Sequence, residues 1–183
     1  MNGTVTLLNL YLAGAPAGVD VFVDEVSFSV FDTVAPENLL ANADLESGIT
    51  PWVRHGPGTV SVSSSAASHT GTGAIQVSGR TAAWHGAEQS LMGKTEDGRL
   101  YYAAGWITTN SATAQTVKLT MEVVDGSGSR FFGIATGTAS SETWTWLSGH
   151  FKMPATSGLT DVRFFIEGPP SGVAIRGDNF YFA

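Results

Sequence analysis

Residues 115–125 have the sequence QTVKLTMEVVD, in which apolar and polar side chains alternate. Successive side chains of a β-strand point to opposite faces of a sheet, so this period predicts a strand with one buried and one solvent-facing side. The buried side is predicted to carry Val117, Leu119, Met121 and Val123.

The same alternation continues in residues 160–168. It places Val162, Phe164 and Ile166 in a core. Arg163, Phe165 and Glu167 then share the opposite face. An aromatic ring beside an arginine and a carboxylate suits a sugar, whose C–H face packs on a ring and whose hydroxyls form bidentate hydrogen bonds with charged groups. This face is therefore a candidate binding surface.

Short runs of the same kind fill the chain from Asn38 onward, and no segment has a helical period. Turn signals such as Asp97-Gly98 separate them. About ten strands spaced by 8–12 residues predict an all-β sandwich or jelly roll. The predicted strands are 38–46, 58–64, 73–80, 86–92, 100–109, 115–125, 129–137, 143–153, 160–168 and 173–182.

Composition narrows the function. The 183 residues are 43% hydrophobic and 14% charged, which is sufficient for a packed core, and the formal net charge of −7 disfavours nucleic acid and anionic membranes as partners. No apolar run approaches the roughly 18 residues of a membrane helix, and the N-terminus does not have the pattern of a signal peptide. Without cysteine there is no disulfide or thiol nucleophile.

An internal repeat divides the chain. Residues 10–29 align without gaps to residues 164–183, with identities that include Gly14/Gly168, Pro16/Pro170 and Asp24/Asp178. Because the second copy ends a domain, residues 1–32 are predicted to be the C-terminal hairpin of a preceding similar module. Residues 33–36 then form a linker and residues 37–183 a complete module. The alternative is a hairpin that belongs to the single fold.

Five motifs resemble those of family 22 carbohydrate-binding modules, the xylan-binding family related to families 4 and 9. They occur in the family's order and cover nearly all of residues 38–183. They are NLLANADLESG (38–48) followed by Trp52, VSGRTAAWHG (77–86), TWTWLSGHFKMP (143–154), FIEGP (165–169) and IRGDNFYF (175–182).

The resemblance implies a galactose-binding-like jelly roll with antiparallel sheets and a concave face that holds one xylan chain. Carried over by motif, the cleft residues are Arg54, Trp84, Phe132, Phe165 and Glu167. Phe131 could take the place of Phe132 in this match. His85, next to Trp84, is either a rim residue that binds the ligand or an ordinary surface histidine. The expected role is to target a parent modular xylanase, secreted and linked to other modules, to plant cell wall.

Other functions remain open at this point. The same fold would also suit mixed-linkage β-glucans, or a spacer that binds nothing. A glycosidase needs two carboxylates about 5–5.5 Å or 6.5–9.5 Å apart. Glu122 and Glu167 both face outward and are the candidate pair, but no glycosidase motif accompanies them. We therefore expect a binding module and not an enzyme.

A calcium site is the last expectation. Asp44 and Glu46 lie two residues apart in the predicted first strand, and Asp178 lies in the last. The resemblance implies a structural ion where these strands meet, and oxygen donors suit calcium better than zinc.

Overall fold

The computed structural model describes residues 36–183, which form one compact unit of ten β-strands. The predicted hairpin at 1–32 and all of the linker except Pro36 lie outside the described residues, so that division of the chain stays a prediction. The strands are β1 (Val53–His55), β2 (Ser61–Ser65), β3 (Ala74–Ser78), β4 (Gly86–Ser90), β5 (Leu100–Thr109), β6 (Gln115–Asp125), β7 (Gly128–Ala139), β8 (Thr145–Lys152), β9 (Asp161–Glu167) and β10 (Ile175–Phe182).

Two five-stranded antiparallel sheets make a sandwich, which confirms the predicted fold class. The first sheet has the order β1-β4-β9-β6-β7 and the second β2-β3-β10-β5-β8. Except for β2-β3 and β6-β7, neighbouring strands in each sheet are not consecutive in the chain, as in a jelly roll. Within 36–183, no helix is long and apolar enough to cross a membrane.

The alternation predicted for β6 and β9 is confirmed. Every apolar residue assigned to the core on these two strands is fully buried between the sheets. On β9, Arg163 and Phe165 belong to the outer face of the sheet. They pair there with Glu122 and Thr120 of β6. The first sheet therefore presents a polar and aromatic outer face.

The strand predicted at 38–46 is wrong. Asn42 and Leu45 have positive φ angles of 45° and 59°, which end any extended run. The segment is a series of turns, in which the Asn42 side chain bonds the main chain of Ser47, Gly48 and Thr50. Leu45 is nevertheless buried, so the periodic signal there came from a loop packed on the core.

Candidate functional site

A cleft of about 650 Å³ opens on the outer face of the first sheet. It is formed by residues of β1, β4, β6, β7 and β9, by Gly56 just after β1, and by the loop that precedes β4. Its lining consists of Arg54, His55, Gly56, Trp84, Glu88, Glu122, Phe131, Arg163, Phe165 and Glu167.

Two exposed aromatic rings stand on either side of this cleft. Trp84, two residues before β4, is 51% exposed, and Phe131 on β7 is 60% exposed. Three strand spacings of about 4.8 Å separate β4 from β7, so the strands that carry the two rings are roughly 14 Å apart. The rings offer flat apolar surface above a polar floor.

Phe165 lies between them but is covered. The His55 ring stacks on it with centroids 4.0 Å apart and planes 15° apart, and only 1% of Phe165 is exposed. His55 also meets Trp84 edge to face at 5.8 Å. His55, itself only 8% exposed, therefore covers Phe165 at the cleft.

The floor is an ion-pair network centred on Arg163. Its Nη1 lies 2.9 Å from Glu122 Oε2 and its Nε 3.7 Å from Glu88 Oε1, and it also pairs with Asp161. Glu88 in turn bonds His55 Nδ1 at 2.5 Å. Partial burial opposes the charge on Arg163, but the attraction of Glu88, Asp161 and Glu122 is larger and raises its pKa. The floor is thus held in a fixed, charged arrangement.

The two carboxylates considered as a catalytic pair are both engaged within the protein. Glu122 pairs across the sheet with Arg163, four residues before Glu167 on β9, so the main-chain positions of the two glutamates are offset by roughly 13 Å along the strand. Glu122 is moreover ion-paired, and Glu167 accepts a hydrogen bond from Thr120 Oγ1 at 2.7 Å.

Arg80 is buried and organises the loop that carries Trp84. Its guanidinium donates hydrogen bonds to six main-chain carbonyls, among them Ala83 and His85 in the Trp84 loop and Pro169 and Val173 in the loop after β9. Burial lowers the pKa of Arg80 to about 10, against the opposing attraction of Glu167, so the group remains charged at neutral pH.

The predicted site residues divide into two groups. Arg54, Trp84, Phe165 and Glu167 line the cleft. His85 does not: only 3% of it is exposed, and its ring lies beneath Trp84 with centroids 4.2 Å apart. Its Nδ1 accepts the Thr81 N–H, and burial, Arg80 and His55 lower its pKa, which favours the neutral ring.

Phe132 also lies outside the cleft, and its neighbour Phe131 takes the position. Phe132 pairs with Met121 on the core side of the sheet and packs against Phe151 at 5.5 Å. Phe131 pairs with Glu122 on the outer side. The register of β6 and β7 decides between the two phenylalanines, which the motif alone left open.

The sequence prediction missed His55 and Glu88, and it placed Arg163 on this face without assigning it to the cleft. Alternation along 86–92 places Glu88 on the outer face, and the same signal had already placed Arg163 beside Phe165. No local signal identifies His55, because β1 has only three residues and its role depends on Phe165 of β9.

Phe131 and Phe132 give a paired test of this geometry. Phe131→Ala is expected to weaken ligand binding about tenfold and leave the melting temperature unchanged, since the ring faces solvent. Phe132→Ala is expected to lower the free energy of unfolding by about 2–3 kcal/mol and leave affinity nearly unchanged. Calorimetry and urea unfolding measure the two quantities, and a reversed pattern would contradict the assignment.

Two of the predicted metal ligands converge on one loop. Glu46 accepts the N–H groups of Thr72 and Gly73, and Asp178 accepts those of His69 and Thr70. Asp178 is fully buried and has no cationic side-chain partner within 36–183. No cluster of three or more His, Cys, Asp or Glu side chains arranged for a metal occurs among the described residues. An ion here would need main-chain or hydroxyl oxygens as further ligands. This all-oxygen donor set fits calcium.

A family model described as a carbohydrate binding domain matches residues 37–172. The chain belongs to this carbohydrate-binding domain family. The module is thus a non-catalytic sugar-binding unit.

Several solved structures similar to this carbohydrate-binding module are family 22 modules. The C-terminal family 22 module of Clostridium thermocellum Xyn10B is 25% identical, with a TM-score of 0.69 over 77% of this chain and 90% of that one. The CBM22-1 xylan-binding domain of Paenibacillus barcinonensis Xyn10C is 24% identical, with a TM-score of 0.70 over 80% and 93%.

Curated relatives of the module are larger proteins. Endo-1,4-beta-xylanase A of Thermotoga neapolitana is 28% identical over 80% of this chain and 14% of its own length. Endo-1,4-beta-xylanase 1 of Arabidopsis thaliana is 27% identical over 90% of this chain and 19% of its own. The chain therefore spans less than a fifth of these two relatives.

Proposed function

We propose that the module binds a single xylan chain in the cleft on the first sheet. The observation that carries this proposal is the half-exposed Trp84 ring at the edge of a polar floor. The buried Arg80 holds the loop that carries this ring, through the main chain of Ala83. An aromatic face beside hydrogen-bonding groups is the arrangement that a pyranose ring requires.

Trp84 would stack on one xylose ring while Glu167 and Arg54 bond its hydroxyls. Glu167 bonds Thr120 through Oε1, which leaves Oε2 available to a ligand. Arg54 is exposed at the cleft and forms no ion pair within residues 36–183. Xylose lacks the exocyclic CH₂OH group of glucose, so a cleft closed in by Trp84, His55 and Phe131 would favour xylan over β-glucan by steric exclusion.

The module would serve as the targeting part of a secreted, multi-modular xylanase. Support comes from relatives named as xylanases in which the matched region is a small part, and from a solved C. thermocellum structure that joins CBM22-1 to GH10 modules in complex with xylohexaose. Binding to cell-wall xylan would hold a linked catalytic domain near its substrate, through a raised local concentration.

Titration with xylo-oligosaccharides of increasing length tests the proposal. Affinity measured by calorimetry is expected to rise with chain length and to level off once the cleft is filled. Affinity electrophoresis with xylan, mixed-linkage β-glucan and laminarin is expected to retard the protein most in xylan. Stronger retardation in β-glucan would show that β-glucan is the preferred ligand of the cleft. No binding to any of the polymers by the folded protein would favour a spacer.

We also propose a structural calcium ion held by Glu46 and Asp178, with Asp44 nearby. The ion would neutralise the buried Asp178 carboxylate and tie the 69–73 loop to β10. Saturating calcium at about a hundred times the dissociation constant would add about 2.7 kcal/mol of stability. For a domain of this size, a chelator is expected to lower the melting temperature by roughly 5–10 °C.

Scanning calorimetry with chelator, and then with calcium restored, measures this shift. Glu46→Gln is expected to abolish the response to calcium, whereas Glu37→Gln, an exposed carboxylate away from the loop, should keep it. An identical melting temperature with chelator and with millimolar calcium would contradict the site.

A further inference from the structure

The outer face of the second sheet carries an aromatic surface that the cleft does not use. On β5 and β8, Trp106 pairs directly with Trp146 and Tyr102 with His150, with ring centroids 5.3 and 5.4 Å apart. The two rungs lie four residues, or roughly 13 Å, apart along the strand. The surface, called the outer patch, consists of Tyr102, Trp106, Trp146, Ser148, His150 and Lys152.

The outer patch is accessible and firmly supported. Trp146 is 43% exposed, and the alternate residues that follow it on β8 are exposed while Leu147 and Phe151 are buried. β8 is an edge strand, so the patch reaches the side of the sheet. Beside Trp146, the Trp106 ring stacks on His69 with centroids 3.9 Å apart and planes 13° apart, which holds Trp106 in place.

The charge of this face is opposite to that of the cleft. The five strands of the second sheet contain one carboxylate, Asp178, which is fully buried and bonded to main-chain N–H groups. Their cations are Lys152 and Arg176, and Lys152 forms no ion pair within residues 36–183. The cleft, in contrast, has three glutamates and two arginines among its lining residues, so that its charge is slightly negative.

We propose that the outer patch is a second carbohydrate surface, which binds the uronate-bearing segments of a β-linked polysaccharide. Trp146 stacks on a sugar ring, Ser148 and His150 bond hydroxyls, and Lys152 pairs with the uronate carboxylate. Charge complementarity favours this ligand over a neutral one. It also disfavours a second copy of the chain, because a two-fold contact through this patch would bring like charges together.

The test uses the full chain with Trp84→Ala, which silences the cleft. This variant is expected to retain binding to glucuronoxylan, in a form that weakens with added salt, and to bind neutral arabinoxylan far less. Adding Trp146→Ala is expected to reduce the remaining affinity at least about tenfold. Lys152→Gln should reduce it several-fold and remove most of the salt dependence. Met92→Ala is the control, because Met92 is an apolar residue of similar exposure, 45%, outside both surfaces. This variant should leave binding unchanged.

Several results would overturn the proposal. They are residual binding that Trp146→Ala leaves unchanged, equal binding of neutral and acidic polysaccharide without salt dependence, and no glucuronoxylan binding in the Trp84→Ala background. A dimer in sedimentation that Trp146→Ala dissociates would assign the patch to self-association instead. If Trp146→Ala lowers the melting temperature, Lys152→Gln still tests the proposal, because the Lys152 side chain is exposed and its replacement should not affect folding.

Discussion

Replacing Trp84 by alanine is expected to remove the binding of neutral xylo-oligosaccharides to the cleft and leave the fold intact. The exposed indole is the largest flat apolar surface at the cleft, and the loss of such a central aromatic contact costs about 2–3 kcal/mol, or about thirty- to a hundred-and-fortyfold in Kd. Stability should change little, since the loop is held by the hydrogen bonds of Arg80 and not by the indole.

Calorimetry with a xylo-oligosaccharide and thermal unfolding measure the two quantities on the same protein. Met92→Ala serves as the matched control, since it also removes an exposed apolar side chain but lies outside the cleft. Unchanged affinity in Trp84→Ala would remove this ring from the binding site, and with it the main support for the proposed cleft.

Replacing Arg80 by methionine is expected to lower the free energy of unfolding by about 3–5 kcal/mol. Methionine fills much of the volume but donates no hydrogen bond, so several buried carbonyls lose their partner, and each unsatisfied group costs about 1–3 kcal/mol. Affinity should fall as well, because the Trp84 loop is then no longer joined to the loop after β9.

Arg54→Met provides the contrast for this change. Arg54 is exposed at the cleft, so the same substitution there should leave stability within about 0.5 kcal/mol while weakening binding. Urea unfolding of both variants, with calorimetry below their melting temperatures, separates the two effects. If Arg80→Met kept its stability to within about 1 kcal/mol, the role assigned to Arg80 would be wrong.

Arg80 also shows how far a motif can be interpreted. It lies in VSGRTAAWHG, the segment from which Trp84 was predicted, yet nothing in that segment indicates that it is buried. Its burial depends on residues 169–173, about ninety positions later, whose carbonyls accept hydrogen bonds from the guanidinium. His85 illustrates the same limit: a polar residue beside an exposed tryptophan resembled a rim residue, but the loop folds it inward.

The sequence by itself determined most of the strands, and the faces of β6 and β9. Alternation is a local property of an extended chain, so the buried sides of β6 and β9, and the outward position of Arg163, Phe165 and Glu167, followed from their order alone. The ordered motifs likewise predicted the family and Trp84.

Only the tertiary structure decided which of these side chains meet a ligand. The pairing of β6 with β7 turned Phe131 outward and Phe132 inward, β1 brought His55 over Phe165, and the turns at Asn42 and Leu45 replaced the expected first strand. The physical reason is that exposure depends on the segments packed against a residue. In a jelly roll those segments come from distant parts of the chain, where a local period carries no information.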